Sequence, residues 1–262
     1  MPRRVITLTT DFGTCDHFAG TMKGVILSIQ PAAEIVDMTH EVCPFEIPDG
    51  AFTIAQAYRF FPKRTIHVVV VDPGVGSTRR PILAEMAGHY FIAPDNGVLS
   101  MIFSREAAKV RHITNDRYFL KPLSRTFHGR DVFAAVAAHL AAGVPPARFG
   151  PRIDDYIRLT LDQPARNGKS SWTGSVLKVD RFGNIITNLH IEEFPQVKTR
   201  PFELRVSSQP IKRLALTFTD CEPGELFALV GSSGYIEVAT NQGSAVQALG
   251  CSAGSPVELT IF

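Results

Sequence analysis

Several patterns that define large protein classes are missing from this chain of 262 residues. Its four cysteines form no C-x-x-C pair, and its eight histidines form no H-E-x-x-H motif, so the sequence indicates no zinc site. No apolar run approaches the roughly 18 residues of a membrane-spanning helix. We therefore expect no metal and no membrane partner.

The chain also lacks a large excess of positive or negative charge. The formal net charge is +2, and no basic block stands out, which argues against a nucleic-acid partner. The N-terminal stretch "MPRRVITLTTDFG" lacks the long apolar run and small-residue cleavage site of a secretory signal, so we expect a cytoplasmic protein. The hydrophobic share of 45% is enough for a full-sized core.

Apolar periodicity divides the chain into two regions. Up to residue 163, strand-like and helix-like runs alternate, which predicts a layered α/β domain with a mainly parallel sheet. From residue 170, short β-type runs separated by turns predict a small, barrel-like all-β domain. The polar stretch "LDQPARNGKSS" between them reads as a linker. The predicted domains are therefore residues 1–163 and 170–262.

The individual runs predict specific elements. The predicted strands of the first region are "VITLTT", "EIVDMT", "TIHVVVV", "ILAEMA" and "YFIAP". Its predicted helices are "FAGTMKGVILSIQP", "PDGAFTIAQAYRFF", "GVLSMIFSRE" and "RDVFAAVAAHLAAG". In the second region, the predicted β segments are "WTGSVLKVD", "GNIITNLH", "PFELRVSS", "LALTFTD", "ELFALVGS", "GYIEVAT" and "PVELTIF".

Two predicted strands of the first region end in charged residues. "TTDFGTCDHF" places Asp11 and Asp16 after the first strand, and "VVVDPGVGSTRR" places Asp72 and Arg79 after the third. Ligands bind at the carboxyl edge of open α/β sheets. The glycines alone indicate only a tight turn, because the stretch lacks the lysine of a Walker A loop and the third glycine of a dinucleotide fingerprint. A structural ion pair between Asp72 and Arg79 is the plain alternative.

A third candidate is the histidine in "RTFHGRD". His128 stands at the start of the alanine-rich helix, where the positive end of the helix dipole lowers a histidine's pKa and favours neutral imidazole. In the β region, polar and aromatic residues gather in "VDRFGNIITN" and "GSSGYIEVATNQGSA". An ordinary hairpin turn explains each stretch, and a site for an adenine and an amino acid is the alternative.

Taken together, the motifs resemble one family. "TTDFGTCDHFAGTMKG", "VVVDPGVGSTRR", "FIAPDNGVL", "TFHGRD", "DRFGNIITN" and "SSGYIEVATN" occur in order over nearly the whole chain and are similar to those of the S-adenosyl-L-methionine (SAM) hydroxide adenosyltransferases. These adenosine-forming SAM hydrolases are related to the SAM fluorinase and chlorinase. The resemblance implies an N-terminal α/β domain, a C-terminal β domain and a homotrimer with SAM bound between domains of neighbouring subunits.

The resemblance also implies roles for individual residues. The catalytic aspartate, arginine and histidine of the family match Asp72, Arg79 and His128. The ribose-binding aspartate matches Asp11. The remaining predicted substrate-binding residues are Asp16, Asp180 and Ser232 near methionine, Asn184, Glu237 and Thr240 near adenine, the aromatic Phe127, Phe182 and Phe218, and Tyr235. The implied reaction converts SAM and water to adenosine and L-methionine.

Two other functions remain open on the sequence. In a SAM-dependent halogenase, chloride attacks the same carbon, but the halide-using relatives lack the aspartate and histidine that this chain keeps. The fluorinase carries a serine where Gly129 stands, which also argues against fluoride as the nucleophile. In a non-catalytic SAM or adenosine sensor, the three residues of the catalytic set are structural.

Overall fold

The computed structural model describes residues 4–160 and 163–262. Contacts between residues divide the chain into two compact units, residues 1–160 and 161–262. In the two described ranges, no helix is long and apolar enough to cross a membrane.

The first unit contains seven strands and four α-helices within its described residues. The strands are β1 (Val5–Thr10), β2 (Glu34–Thr39), β3 (Ile66–Val70), β4 (Pro81–Met86), β5 (His89–Pro94), β6 (Ala108–His112) and β7 (Arg152–Ile153). The α-helices are α1 (Phe18–Ile29), α2 (Ile47–Ala57), α3 (Ser100–Phe103) and α4 (Ala135–Ala141). A π-helical turn, Gly129–Ala134, precedes α4, and 3-10 turns lie at Tyr58–Phe60, Asp116–Tyr118 and Pro146–Arg148. The predicted strands and helices of this region are confirmed.

The seven strands form one sheet in the order β2-β1-β3-β5-β4-β6-β7. The pairs from β2 to β5 are parallel, and the pairs from β5 to β7 are antiparallel. The prediction of a mainly parallel sheet is therefore wrong for half of the sheet. Only Ala87 and Gly88, both with positive φ, separate β4 from β5, and a two-residue connection of this kind makes a hairpin.

Helices cover both faces of the first sheet. Val68 and Val70 of β3 belong to a buried cluster that includes Met22 of α1 and the π-helical turn, whereas Val71 faces α2. A Cβ atom at Gly50 of α2 would lie 2.9 Å from the Val71 side chain, so glycine allows this helix to approach closely. A strand that is buried on both faces explains the continuous apolar run in the sequence.

The parallel half of the sheet has a topological switch point. β2 and β3 lie on opposite sides of β1, so the connection after β1 runs to one side of this strand and the connection after β2 runs to the other. Thr10 of β1 pairs with Val70 of β3, so the residues that follow these two strands emerge side by side. Asp11 and Asp72 therefore share the edge at which open α/β sheets bind ligands.

The second unit is built mainly from strands. They are β8 (Ala165–Arg166), β9 (Ser171–Val179), β10 (Ile185–His190), β11 (Phe202–Val206), β12 (Gln209–Ile211), β13 (Leu214–Ala215), β14 (Leu226–Val230), β15 (Tyr235–Thr240) and β16 (Pro256–Ile261). One short helix, α5 (Ala245–Leu249), and 3-10 turns at Pro195–Lys198 and Phe218–Asp220 complete the described part of the unit.

These strands curl into a half-barrel in the order β12-β11-β16-β9-β10-β15-β14-β13. The first half of β9 pairs with β16 and its second half pairs with β10, so this strand joins the two parts of the curl. Within residues 163–262, no described pairing joins β12 to β13, and the barrel stays open.

Two local predictions for this region need correction. Residues 161 and 162 of the predicted linker lie outside the described residues, and Ala165–Arg166 of the same stretch forms β8 rather than linker. Of the predicted strand "LALTFTD", only Leu214–Ala215 forms a strand, β13. Thr217 and Asp220 bond to each other's backbone as a capping box, which favours a helical turn over a strand.

Candidate active site

A tight turn after β3 returns the chain to its own strand end. Val75 N donates to the Asp72 carbonyl oxygen at 3.2 Å, and Gly76 follows with a φ of 77°. A Cβ atom at Gly76 would lie 2.2 Å from the carbonyl oxygen of Arg125, so only glycine fits this close approach. The turn brings Arg79 back to Asp72.

Arg79 and Asp72 form a two-point ion pair. Nε of Arg79 donates to Oδ1 of Asp72 at 2.9 Å, and Nη2 donates to Oδ2. Only 9% of the Arg79 side chain and 5% of the Asp72 side chain are exposed. The guanidinium also lies over the ring of Phe133. Its third nitrogen, Nη1, is buried and has no hydrogen-bond partner in the described part of the chain, so it can bind a water or a substrate atom.

His128 completes a cluster of three side chains. It lies directly before the π-helical turn, and its Nδ1 is 3.0 Å from Nη2 of Arg79. Arginine has only donors, so Nδ1 accepts this hydrogen bond and a neutral imidazole carries its proton on Nε2. Burial, followed by the positive charge of Arg79, lowers the pKa of His128 below its usual value of 6.5. The predicted direction is confirmed, and burial is the main cause.

A pocket of about 140 Å³ opens beside this cluster. Asp72 and His128 line it together with three aromatic rings, Phe12, Phe18 and Phe127, whose centroids lie 5.2 to 6.0 Å apart. A Cβ atom at Gly129 would lie 3.2 Å from the nearest of these ring atoms, so a side chain there would crowd the pocket. Pockets that bury a whole drug-sized ligand are typically about 300 Å³ or larger, so this pocket accommodates only part of one.

Asp11 stands beside the cluster at the end of β1. Its Oδ2 accepts a hydrogen bond from Phe45 N at 3.0 Å. Burial raises the pKa of Asp11, and the nearby negative charge of Asp72 adds to this effect, against the hydrogen bond from Phe45. Asp16 lies in the exposed turn between Asp11 and α1.

Phe45 is a residue that the sequence reasoning missed. Phe45 is 72% exposed and its φ is 68°, a conformation that bulky residues rarely adopt. Such strain is found at functional sites. The sequence carries no signal for a left-handed phenylalanine, and the contact with Asp11 spans 34 positions.

The neighbouring arginine belongs to a different cluster. Arg80 donates to Oδ2 of Asp95 at 2.7 and 2.9 Å and to Oδ1 of Asp155 at 2.8 Å. Asp95 in turn accepts from Ile157 N. Arg80 therefore ties the end of β5 to the segment around residue 155, and only one of the two adjacent guanidiniums belongs to the candidate site.

In the second unit, Asp180 organises the tip of the hairpin between β9 and β10. Its Oδ1 accepts from the backbone N of Phe182 and of Asn184, each at 2.9 Å, and its Oδ2 accepts from Nδ2 of Asn184 at 2.8 Å. Phe182 is 78% exposed at this tip. Asp180 thus makes the contacts of an ordinary hairpin turn, and it lies next to an exposed aromatic ring.

Glu237 is a buried carboxyl group near that hairpin. It pairs with Ile186 and Leu229 on the neighbouring strands, and a Cβ atom at Gly231 would overlap its Oε1. Burial, followed by the negative charge of Asp180, raises the pKa of Glu237 to about 7. The structure therefore brings Asp180, Glu237 and the turn after Gly231 together.

The other predicted residues of this unit are more dispersed. Ser232 is exposed in the turn after Gly231, and Phe218 is partly exposed with its ring 6.1 Å from that of Phe227. The Tyr235 ring packs edge-on against His190, and Thr240 lies buried at the other end of β15. Oγ1 of Thr240 has no hydrogen-bond partner among the described residues.

Comparison with known proteins places this fold and site in one class of two-domain enzymes. The profile of the SAM hydroxide adenosyltransferase N-terminal domain matches residues 6–150, and that of the C-terminal domain matches residues 174–258. The chain belongs to the SAM hydroxide adenosyltransferase family, as the resemblance predicted.

Individual relatives match over most or nearly all of the chain. The (R)-S-adenosyl-L-methionine hydrolase of Salinispora tropica is 37% identical, covering 99% of this chain and 98% of the relative. The protein of the same name from Methanocaldococcus jannaschii is 36% identical, covering 89% and 87%. A fluorinase of Nocardia brasiliensis is 27% identical, covering 99% and 97%. A crystal structure of an uncharacterized conserved protein from Thermotoga maritima is 38% identical, with a TM-score of 0.91 over 97% of this chain and 99% of that one.

Proposed function

We propose that the protein hydrolyses SAM to adenosine and L-methionine by in-line attack of water on C5′. The observation that carries this proposal is the buried Asp72–Arg79–His128 cluster beside a pocket at the switch point of the sheet. Family membership and the names of the hydrolase relatives support the same reaction. SAM is the substrate, and the sulfonium already supplies a neutral leaving group, so the proposed reaction uses no cofactor.

The cluster makes a bound water a better nucleophile than bulk water. Bulk water has a pKa of about 15.7 and attacks poorly. Nη1 of Arg79, which is buried and has no partner among the described residues, donates to the water oxygen and stabilises its hydroxide character. Nε2–H of His128 is a second donor toward the same oxygen as it becomes hydroxide, because Nδ1 is held by Arg79. Hydroxide has three lone pairs, so one remains for the attack on C5′.

Asp72 accepts the proton in this proposal. Each carboxylate oxygen already accepts one bond from Arg79 and keeps a second lone pair for the water. As the bond from oxygen to C5′ forms, the C5′–S bond breaks, the electron pair goes to the sulfur of methionine, and the water proton goes to Asp72. Alignment in a buried site lowers the barrier further.

The remaining predicted residues bind the rest of SAM. Asp11 accepts hydrogen bonds from the ribose hydroxyls, and the aromatic rings of the pocket, Phe127 among them, pack on the substrate. Recognition of methionine and adenine involves Asp16, Asp180, Phe182, Asn184, Phe218, Ser232, Tyr235, Glu237 and Thr240. The names of the hydrolase relatives specify the R configuration at sulfur, and we propose the same epimer preference for this protein.

We also propose a homotrimer in which the second unit of a neighbouring subunit completes each site. The small volume of the pocket in the first unit supports a site shared in this way. Co-expression of an Asp72→Asn chain with a chain that carries Phe182→Ala and Glu237→Gln together, assayed at SAM concentrations well below KM, tests it, because a mixed trimer contains sites in which both units are wild type. Random mixing should restore roughly a quarter of the sites. Activity no higher than that of the separate variants would contradict a shared site.

Product identification tests the function itself. Purified protein is incubated with each sulfonium epimer of SAM in chloride-containing buffer, and the nucleosides are identified by mass spectrometry. We expect adenosine and methionine, formed faster from the R epimer. A 5′-chloro nucleoside would instead indicate a halogenase, and bound but unconverted SAM or adenosine would indicate a sensor. The cytoplasmic location stays a prediction.

A further inference from the structure

The turn that carries Asp11 is held by the segment that follows β2. Gly13 N donates to the His40 carbonyl oxygen at 2.7 Å, and Val42 N donates to the Thr10 carbonyl oxygen at 3.2 Å. These two bonds secure the backbone on both sides of Asp11. His40 is the first residue of this segment.

The side chain of His40 supports the same turn from below. It is 4% exposed, and its Nδ1 lies 2.8 Å from Oγ1 of Thr10. Oγ1 of Thr10 accepts a further hydrogen bond from Phe12 N at 3.2 Å. His40 therefore reaches the residue before Asp11 through its ring and the turn after Asp11 through its carbonyl oxygen.

The other nitrogen of the His40 ring faces the carboxylate of Asp37. Nε2 of His40 lies 3.1 Å from Oδ1 of Asp37, a contact outside ideal hydrogen-bond alignment, and Oδ2 of Asp37 binds Nζ of Lys23 at 2.5 Å. With its proton on Nε2, facing Asp37, His40 accepts from the Thr10 hydroxyl at Nδ1. Lys23, Asp37, His40 and Thr10 thus form one polar chain that begins on α1 and ends beneath Asp11.

We propose that His40 is a positioning residue for substrate binding, which acts by fixing the turn that presents the Asp11 carboxylate to the ribose. This inference rests on the proposed function, because it assumes that Asp11 binds SAM. The chain from Lys23 to Thr10 makes no described hydrogen bond to Asp72, Arg79 or His128. Loss of the His40 ring should therefore weaken substrate binding and leave the chemical step intact.

The chain offers a matched control on the same strand. Thr7 of β1 and His67 of β3 make the same threonine–histidine contact, Oγ1 to Nδ1 at 2.8 Å, and both residues are fully buried. This pair lies three positions before Thr10 and contacts no part of the Asp11 turn in the described structure. Replacing either histidine removes a comparable buried contact, but only His40 supports the turn that carries Asp11.

The experiment compares kcat, KM for SAM and Tm of the wild type with those of His40→Phe, His40→Asn and His67→Phe. We expect His40→Phe to raise KM about tenfold with little change in kcat, the effect of losing one hydrogen-bonded support. His40→Asn should recover most of the affinity, because its Oδ1 replaces Nδ1 as the acceptor for Thr10. His67→Phe should lower Tm without changing KM.

The kinetic results decide whether His40 positions Asp11 for substrate binding. An unchanged KM in His40→Phe, an equal rise in His67→Phe, or a fall in kcat instead of a rise in KM would overturn the positioning role. If His40→Phe does not fold, Thr10→Val removes the same hydroxyl contact and is judged by the same criteria. A wild-type protein that does not hydrolyse SAM would overturn the proposed function instead.

Discussion

The two units differ in how their polar groups are bonded. In the first unit, Asp72, Arg79 and His128 bond to one another, and only Nη1 of Arg79 is buried without a partner among them. In the second unit, Oγ atoms of Ser233 and Thr240 are buried without described partners. Buried polar atoms without described partners also occur elsewhere in the first unit, for example at Gln56 and Arg111, so the contrast holds only for the candidate site residues. We propose that the side chains for chemistry are held in place before substrate binds, whereas Oγ1 of Thr240 gains its partner from the substrate.

The largest expected effect separates chemistry from binding. Asp72→Asn should lower kcat about a thousandfold, because the variant loses the proton acceptor and the ion pair that orients Arg79, and it should change KM much less. Steady-state kinetics with SAM measures both. Asp116→Asn, at an exposed aspartate paired with Lys121, is the control and should behave as wild type. A variant of Asp72 with wild-type kcat would remove the basis of the mechanism.

A pair of glycines sharpens the comparison between the units. Gly76 has a φ of 77°, and Gly183 has a φ of 85° with its Cβ position 2.1 Å from Oγ of Ser244. Alanine at either position strains a turn, so both variants should lose stability. Gly76→Ala displaces Arg79 and should lower kcat tens of times, whereas Gly183→Ala displaces the Asp180 hairpin and should raise KM. If both variants changed the same kinetic constant, the division of roles would fail.

The pH dependence of kcat tests the state of His128. Its lowered pKa keeps the imidazole neutral at pH 7. Protonation would place a hydrogen on Nδ1 against Nη2 of Arg79, so kcat should fall as the pH falls through a value below 6.5, about tenfold per pH unit at the limit. His128→Gln should lose this acid limb together with part of the rate. An identical limb in the variant would assign the titration to another group.

The smallest effect is expected at Glu237. Because its pKa is about 7, its carboxylate forms as the pH rises through neutrality. SAM is a cation with an adenine amino group, and both features favour an anionic acceptor, so KM should fall several-fold over this range. Glu237→Gln should abolish the pH dependence of KM and leave the acid limb of kcat. A pH-independent KM in the wild type would place Glu237 outside the binding site.

Local sequence signals predicted much of this fold and of the first unit's site. Periodic apolar runs marked the strands and helices, and the carboxyl ends of two of those strands carry Asp11 and Asp72. The antiparallel half of the first sheet was missed although its signal was present. Ala87 and Gly88 stand between two strand-like runs, and two residues are enough only for a hairpin.

Contacts between distant residues could not be predicted. Arg79 and Arg80 are adjacent in sequence, yet Asp95 and Asp155 hold Arg80 away from the site through contacts spanning 15 and 75 positions. The left-handed backbone of Phe45 likewise depends on its surroundings rather than on its own residue type. Such features follow from tertiary packing, which periodicity does not describe.

The most direct test of the central claim is oxygen labelling. Wild-type protein converts SAM in ¹⁸O-water, and mass spectrometry locates the label in the products. We predict one ¹⁸O atom in adenosine, at the 5′-oxygen, and none in methionine, because water directed by Asp72, Arg79 and His128 attacks C5′. Label in the methionine fragment, or unlabelled adenosine, would contradict this account of the site.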